Sequence, residues 1–368
     1  MKIPLSLYAH IPFCVKKCPY CSFAVVVGQL DREEEYLKAL ALEGACAHAQ
    51  VQTVYIGGGT PSCLSLDGIE RLFGCIYNGV ALDSGAEVSF EMNPEHVDGA
   101  LARQLRAMGV NRVSLGAQSL DPATLSALGR SHRCEDVLRA FEALRSAGFS
   151  NISLDLIYGL PGQTREAVMN DLNGLLALRP EHLSLYALNI EARSLFFARR
   201  MAVDNDAQGE LFMDICRTMA SEGVHQYEVS NFARPGYESR HNMNYWEGGD
   251  YIGLGVGAHS HIRGERFWNA DTLAAYLERM ASQGSARTGE EKLAPAEKLV
   301  EEFLLALRMN RGVDLGALEK KFGMEMAMDK KETLESFIEM GLLEEHDLFI
   351  RATPRGRLLL DELSARIV

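Results

Sequence analysis

The stretch HIPFCVKKCPYCSF, residues 10–23, holds three cysteines within eight positions, in the spacing Cys-x3-Cys-x2-Cys. These are Cys14, Cys18 and Cys21, whereas the other five of the eight cysteines are isolated in the sequence. Thiolate sulfur is a ligand for zinc and for iron, so a cluster of cysteines this tight predicts a metal site. A phenylalanine, Phe23, stands where a fourth cysteine could follow.

Three kinds of site compete for these cysteines. A structural zinc ion takes four ligands, and His10 could supply the fourth, although zinc sites usually draw ligand pairs from separate stretches. A disulfide is disfavoured in a reducing compartment and would leave one thiol unpaired. A [4Fe–4S] cluster has four irons that each take an external ligand, so three cysteines leave one iron open. We favour the cluster.

Length, composition and charge narrow the class of protein. A chain of 368 residues predicts two or three domains, and a net charge of −13 with dispersed lysines and arginines argues against nucleic acid as a partner. We expect no transmembrane segment and no signal peptide, hence a cytoplasmic protein. In a reducing compartment the isolated cysteines are expected to be buried thiols; these are Cys46, Cys63, Cys75, Cys134 and Cys216.

Strand-like runs alternate with helical patterns over the first half of the chain. The predicted strands are residues 5–11, 53–59, 87–93, 112–118, 152–159 and 182–190. Such alternation builds a parallel sheet through right-handed crossovers. We therefore predict an α/β fold, with a partial (β/α)6 barrel of the TIM type over residues 1–205.

Two further regions follow the predicted barrel. Residues 206–291 are predicted to extend it, with an irregular strand-and-loop segment, HNMNYWEGGDYIGLGVGAHSHI, at 241–262. Residues 292–368 have the order of a winged-helix-like α+β domain: helices, a hairpin and a last short helix. Because residues 296–368 carry 15 acidic and 11 basic residues, we expect a lid or docking domain rather than a DNA-binding one.

Polar residues recur near the ends of the predicted strands. Glu91, Gln118 and Asp155 lie in or just after strands, where parallel α/β folds bind ligands. A charged residue in a buried strand needs a partner, so these are candidate site residues, with strand-end caps as the alternative. The segment YIGGGTPS (55–62) also follows a strand, and its glycines would let the backbone approach a ligand.

These features together resemble the radical SAM superfamily. The cysteine spacing with an aromatic residue before the last cysteine, here Tyr20, resembles its signature, and GGGTPS resembles its glycine-rich loop. The resemblance implies a [4Fe–4S] cluster on Cys14, Cys18 and Cys21, with S-adenosylmethionine (SAM) on the open iron. In such enzymes the reduced cluster cleaves SAM to a 5′-deoxyadenosyl radical, chemistry that the cofactors carry.

Further segments narrow the resemblance to one family. HIPFC, GGGTPS, EMNPE, LGAQSLD, LGRSH, DLIYGLPGQT, YEVSNFA and HNMNYW are similar to the family of oxygen-independent coproporphyrinogen III oxidase and the haem chaperones of the HemW type. Tyr8, Gly58 and Glu91 match positions that contact the cluster-bound SAM in the oxidase. The positions that match contacts to a second SAM are Tyr20, Gly59, Thr60, Gln118, Arg130, Asp155 and Ala187. Arg130 could equally be a solvated charge at a helix end.

Two features favour the chaperone branch of this family over the oxidase. The oxidase usually has a long extension before its first strand and a further cysteine where Phe23 stands. HNMNYW fits the HNxxYW motif associated with haem binding, which makes His241 a candidate ligand for haem iron. The alternative is a hydrogen-bonded loop beside a core tyrosine and tryptophan. Ser22 and Ala24 depart from the family pattern next to the cluster cysteines.

The resemblance therefore predicts a haem carrier that passes haem to an acceptor protein and keeps the cluster and SAM sites. The alternative is an enzyme: an oxidative decarboxylase of coproporphyrinogen III, or another porphyrin-modifying radical SAM enzyme. The haem acceptor and the electron donor are not identified by the sequence.

Loss of any one cluster cysteine tests the ligand assignment. We expect Cys14→Ala, Cys18→Ala or Cys21→Ala to abolish the broad visible absorption of the reconstituted cluster, because each thiolate holds one iron. The isolated Cys46→Ala should leave that absorption unchanged. Equal loss from the isolated cysteine would mean that other thiols hold the metal.

Overall fold

The computed structural model describes residues 5–44 and 49–368, so the prediction for Cys46 lies outside the described residues. The strands are β1 (Leu5–Ile11), β2 (Phe13–Cys14), β3 (Val26–Val27), β4 (Ala49–Gly58), β5 (Val80–Met92), β6 (Arg112–Gln118), β7 (Ile152–Tyr158), β8 (His182–Ala187), β9 (His225–Gln226), β10 (Asn231–Ala233), β11 (Asp250–Leu254), β12 (His259–Ile262), β13 (Glu265–Asn269), β14 (Arg287–Lys292), β15 (Leu343–His346) and β16 (Phe349–Ala352). The α-helices are α1 (Glu33–Gly44), α2 (Leu66–Gly79), α3 (Gly99–Ala107), α4 (Pro122–Ala127), α5 (Cys134–Ser146), α6 (Arg165–Ala177), α7 (Leu195–Ala198), α8 (Asn205–Ser221), α9 (Arg240–Trp246), α10 (Leu273–Gln283), α11 (Pro295–Leu307), α12 (Leu315–Phe322), α13 (Met328–Glu339), α14 (Pro354–Leu358) and α15 (Leu360–Ile367).

The six predicted strands form one parallel sheet in chain order, β1-β4-β5-β6-β7-β8, which confirms the predicted α/β barrel. The sheet is longer than predicted, because β11 pairs in parallel with the free edge of β1 and continues through β12, β13 and β14. On the opposite edge β10 pairs antiparallel with β8. The barrel is therefore open between these two edges.

Alternating side chains divide the barrel into an apolar outside and a polar inside. On β1, Leu7, Ala9 and Ile11 are fully buried and belong to the main apolar core. The intervening Ser6 and Tyr8 face the barrel interior, where Ser6 accepts a hydrogen bond from Thr53 of β4. A strand with period-two alternation thus packs its helices on one face and presents polar groups on the other.

The helices begin at capping residues that directly follow the loops at the strand ends. Ser65, Asp98 and Thr164 each accept a hydrogen bond from a backbone N–H in the first turn of α2, α3 and α6 respectively. Such caps satisfy N–H groups that a helix cannot pair internally. They fix the length of each loop at the C-terminal ends of the strands, where the candidate site residues lie.

The C-terminal residues have an apolar core of their own. Leu299, Phe303 and Leu307 of α11 pack with Leu334 and Phe337 of α13 in a cluster separate from the barrel core. The order of helices and hairpin is the predicted one. No helix in the described ranges, 5–44 and 49–368, is long and apolar enough to cross a membrane.

The HNMNYW segment is helical rather than irregular. Residues 240–246 form α9, and the side chain of Ser239 accepts a hydrogen bond from the Asn242 N–H to cap it. Trp246 ends this helix and packs beneath Arg308 of α11, with the guanidinium carbon 4.9 Å from the indole centroid. The glycine-rich stretch that follows obscured a seven-residue helix in the sequence pattern.

Truncation of Phe303 tests the C-terminal core. This ring is fully buried, so we expect Phe303→Ala to lower the unfolding free energy of that part of the chain by about 3–5 kcal/mol. Leu348→Ala, at a side chain that is 76% exposed, is the matched control and should change stability by less than about 0.5 kcal/mol. Urea unfolding monitored by tryptophan fluorescence measures both, and equal effects would contradict the assignment of the core.

Candidate functional site

The three predicted cluster cysteines lie together at the mouth of the barrel. Cys14 ends β2 and is buried, whereas Cys18 and Cys21 lie half-buried in the following loop, where the Cys21 N–H donates to the Cys18 carbonyl at 3.1 Å. Burial raises the pKa of the Cys14 thiol to about 11, and the two neighbouring thiols contribute to the increase. The structure thus brings together the three thiols that the sequence singled out.

The glycine-rich segment holds the cysteine loop in place. The Gly59 and Thr60 N–H groups donate to the Ile11 and Phe13 carbonyls, both at 2.8 Å, and Thr60 Oγ1 lies 3.4 Å from Cys14 Sγ. A Cβ on Gly59 would lie 2.6 Å from the Phe13 carbonyl oxygen and 3.0 Å from Cys14 Sγ. Only glycine permits this approach, so the segment packs directly against a cluster cysteine.

His10 is fully occupied by hydrogen bonds within the protein. Its Nε2 lies 2.9 Å from the Ala24 carbonyl oxygen, which only accepts, so Nε2 carries the proton and Nδ1 accepts from the Tyr8 hydroxyl at 2.9 Å. Gly58 has φ of +115°, and a Cβ there would lie 2.6 Å from the His10 ring. With no free lone pair, His10 is unavailable as the fourth ligand of a zinc site in this geometry.

Glu91 is the carboxylate at the centre of the barrel mouth. Tyr55 donates its hydroxyl to Oε1 at 2.7 Å, and the Gly58 N–H donates to Oε2 at 3.1 Å. Burial nevertheless raises the pKa of Glu91 to about 7, which the nearby Asp155 reinforces. A carboxylate in this state gains from a cationic or hydrogen-bond-donating ligand, as an ammonium or a ribose hydroxyl would be.

Asp155 and Gln118 lie on the neighbouring strands. Ser114 donates to both oxygens of Asp155, at 2.9 and 3.0 Å, while burial raises the pKa of that carboxyl. Gln118 ends β6 with φ of +64°, in the left-handed region, and its buried Oε1 has no hydrogen-bond partner. A strained residue with an orphaned polar atom is typical of a ligand contact.

Arg130 lies beneath the cysteine loop. Its guanidinium donates to the Asn93 side-chain oxygen at 2.7 Å, to the Gly116 carbonyl at 3.2 Å and to Cys18 Sγ at 3.8 Å. The alternative of a solvated helix-end charge is therefore wrong. The guanidinium Nε is buried without a partner and leaves one donor for a ligand.

Tyr20 and Ala187 occupy different surroundings. The Tyr20 ring packs against a small apolar cluster that contains Leu128 and Phe196, and burial raises the pKa of its hydroxyl. Ala187, at the exposed end of β8, lines a cavity of ≈ 960 Å³ between the barrel and α14. A volume of this size lies within the range of small-molecule sites, roughly 300–1,000 Å³.

His241 lies at the opposite, closed end of the barrel from the cysteines. It is 1% exposed and stacks on the Tyr55 ring. Its Nδ1 bonds Thr53 Oγ1 at 2.8 Å and its Nε2 bonds the Tyr245 hydroxyl at 2.8 Å. Because the Thr53 hydroxyl donates to Ser6, Nδ1 carries the proton and Nε2 accepts from Tyr245, so this conformation offers no lone pair to iron and the structure favours the hydrogen-bonded alternative for this motif.

Three residues of the site have roles that the sequence analysis did not predict. Tyr55 and Asn93 position Glu91 and Arg130, and His10 positions Tyr8 and the cysteine loop. Tyr55 and Asn93 lie within the quoted segments YIGGGTPS and EMNPE, so their place beside the glycines and the carboxylate was the available signal. Tyr8 and His10 are two residues apart in the predicted strand 5–11, so the strand period was the available signal that their side chains share one face.

The residues present fit a [4Fe–4S] cluster and SAM. Three thiols share one site at the mouth, the Arg130 guanidinium donates to one of them, and a glycine-rich backbone with a central carboxylate adjoins them. Hydrogen bonds to ligand sulfur and limited solvent access are the means by which proteins tune such clusters. No three His, Cys, Asp or Glu side chains in the described part of the chain converge on a single metal ion.

Family models match two parts of the chain. Residues 8–174 match the radical SAM superfamily, and residues 293–359 match the HemN C-terminal domain. Heme chaperone HemW of Bacillus subtilis is 34% identical over 97% of this chain and 97% of its own length. The chain belongs to the radical SAM superfamily, in the family that contains HemW and HemN.

Curated heme chaperones from other bacteria show a similar identity and coverage. Heme chaperone HemW of Escherichia coli is 34% identical over 98% of this chain and 97% of its own, and that of Lactococcus lactis is 35% identical over 98% and 99%. The solved structure of coproporphyrinogen III oxidase HemN from Escherichia coli superposes with a TM-score of 0.88, at 27% identity, over 99% of this chain and 90% of that one. The predicted family and fold are thereby confirmed.

The raised pKa of Glu91 makes stability depend on pH. Its folded pKa of about 7 exceeds the ordinary value of 4.5, so the folded state binds more protons and ligand-free stability falls as pH rises between these values. Between pH 4.5 and pH 7 the wild type should therefore lose up to about 3 kcal/mol of unfolding free energy that Glu91→Gln keeps. The lost hydrogen bond of Glu91→Gln offsets part of this gain. Urea unfolding at several pH values measures this gain, and parallel profiles for the two proteins would contradict it.

Proposed function

We propose that this protein is a haem chaperone, which binds haem, a [4Fe–4S] cluster and SAM, and passes haem to an acceptor protein. The similarity to curated heme chaperones over nearly the full length of both chains carries this proposal. It extends through the C-terminal residues, so the relatives share the whole architecture rather than the barrel alone. The proposed compartment is a reducing one such as the cytoplasm, because the cluster needs reduced thiols at Cys14, Cys18 and Cys21.

In the proposed holoprotein Cys14, Cys18 and Cys21 hold the cluster, and the fourth iron remains for SAM. The cluster supplies a one-electron centre when bound. Arg130 donates to the Cys18 sulfur and keeps a cation beside the thiolates, while Thr60 bonds Cys14. These contacts orient the ligands and shield the site from water.

Residues at the strand ends are proposed to hold SAM. In this proposal Glu91, which accepts from the Gly58 N–H, and Tyr8 bind an ammonium or a ribose hydroxyl of SAM. A second set includes Gln118, whose side-chain oxygen has no partner, the buried carboxyl of Asp155, and Arg130, whose Nε–H is free. Burying such groups without a ligand costs free energy. The members of this second set are Tyr20, Gly59, Thr60, Gln118, Arg130, Asp155 and Ala187.

The second candidate function is oxidative decarboxylation of a porphyrinogen. The superposition with HemN and the SAM-type residues favour it, because an enzyme would need the same barrel mouth. Phe23 argues against it, since the oxidase usually has a further cysteine at this position. The large cavity at β8, lined by Tyr186, Arg355 and Arg357, could accept a porphyrin carboxylate in either function.

A haem titration of anaerobically reconstituted protein distinguishes the two functions. For the chaperone we expect a saturable Soret change at one haem per chain and transfer of that haem to apo-myoglobin as a model acceptor. Coproporphyrinogen III, SAM and reductant should give no stoichiometric product from the same sample. Turnover of SAM in step with decarboxylated porphyrinogen, or absence of saturable haem binding, would overturn the chaperone proposal.

A further inference from the structure

The proposed haem carriage, on which this inference rests, needs an iron ligand with a free lone pair. His241 has none, because Thr53 and Tyr245 bond its two ring nitrogens in the closed end of the barrel. Among the histidines of residues 5–44 and 49–368, only His225 and His259 have both ring nitrogens without a hydrogen bond or ion pair, whereas His96, His261 and His346 use Nδ1 and leave Nε2 free. His225 and His259 are exposed.

Of these five described histidines, His259 alone stacks face to face on an aromatic ring. The His259 ring stacks on the Trp268 indole, with ring centroids 5.6 Å apart and planes inclined by 24°. The Trp268 ring in turn lies directly over Gly289, where a Cβ would lie 2.4 Å from the indole. This contact fixes the orientation of the Trp268 ring. His225 lies on the short edge strand β9 and has no aromatic contact. An oriented imidazole is what a haem iron ligand requires.

The sheet register connects His259 to the SAM-type residues. Tyr8 of β1 pairs with Gly253 of β11, and a Cβ on Gly253 would lie 2.1 Å from the His259 carbonyl oxygen. His259 in turn pairs with Trp268 of β13. These residues therefore form one continuous row across neighbouring strands, so His259 lies beyond Tyr8 along the sheet.

The loop before His259 touches the cysteine loop. A Cβ on Gly257 would lie 3.4 Å from the Ala24 Cβ, so the two loops are in contact one residue from Phe23 and two residues from His259. Phe23 is 65% exposed, although it is large and apolar. The exposed Phe23 ring and the exposed His259 imidazole are one and two residues from this contact, and they offer a ligand apolar contact and an iron ligand respectively.

A cation is available at the same rim. The Gly257 position also adjoins Asp271, at 3.7 Å from the Asp271 Cα, and Arg193 reaches across to Asp271 with an N–O distance of 3.5 Å. The side chains of this ion pair are 74% and 62% exposed, so the pair contributes little to stability and exchanges partners readily. A haem propionate is a carboxylate that Arg193 can bind instead.

We propose that haem binds at this rim of the barrel mouth, with His259 as the iron ligand, Phe23 against the porphyrin face and Arg193 paired with a propionate. Burial and Arg266 lower the pKa of His259, so the imidazole is neutral at pH 7, the form that binds iron. A site on exposed loops also suits a carrier, because an acceptor can reach haem without opening the core.

Haem titration of reconstituted variants tests this site. We expect His259→Ala to weaken haem binding by about tenfold or more, equivalent to about 1.4 kcal/mol, and to change the Soret maximum. Free imidazole should restore the wild-type spectrum in His259→Ala, because it supplies the missing ligand. His225→Ala, at the other described histidine with both ring nitrogens free, is the matched control and should titrate as the wild type.

The outcomes separate this inference from the proposed function. If the wild type binds haem and His259→Ala binds it equally well, the site is elsewhere and only this inference fails. If the wild type shows no saturable binding, the proposed function fails with it. Loss of haem binding in His241→Gln at unchanged unfolding free energy would place the iron at the closed end of the barrel and overturn the assignment to His259.

Discussion

The Glu91 carboxylate lies inside the barrel, where charge must be compensated by hydrogen bonds or by a ligand. Its two internal donors are the Tyr55 hydroxyl and the Gly58 N–H, so the carboxylate ties β5 to β4 and to the glycine-rich loop. The next two residues of that loop bond the chain on either side of Pro12, directly before Cys14. The position of the cysteines thus depends, through a short series of hydrogen bonds, on one buried acid.

A second carboxylate closes the opposite end of the barrel. Glu87 accepts hydrogen bonds from the Arg240 and His241 N–H groups at 3.0 and 3.1 Å, at the start of α9. The N-terminus of a helix stabilises a negative charge such as that of Glu87. In this position of α9, the His241 ring reaches the Thr53 hydroxyl and bonds it. The HNxxYW segment therefore covers the end of the barrel opposite the cysteines, which we call the floor. At the end of the same helix, Trp246 contacts Arg308 of the C-terminal domain.

The sequence predicted the strands well because their signals are local. Each parallel strand showed an apolar run bounded by turn residues. β4 and β5 begin four and seven residues earlier than predicted, and β4, β5, β7 and β8 end one to three residues earlier. The cysteine spacing and the glycine loop also lie within short segments, so their meeting was predictable. The hydrogen bonds of His241 to Thr53 and Tyr245 were not predictable. They depend on how α9 packs against the barrel, and no local sequence pattern encodes that contact.

With the floor closed, the mouth is the face of the barrel at which the SAM-type residues and the proposed haem ligand meet. Tyr8 bonds His10 within β1, and the strand register continues from Tyr8 through Gly253 towards His259. Groups bound at the two ends of this row would be joined by three hydrogen-bonded strands, β1, β11 and β12. A ligand that moves the Ala24 segment therefore acts on the His10 bond and on the loop before His259 together, without any change in the core. In the proposed carrier, this connection is the shortest route by which the cluster region and the proposed haem site would affect one another.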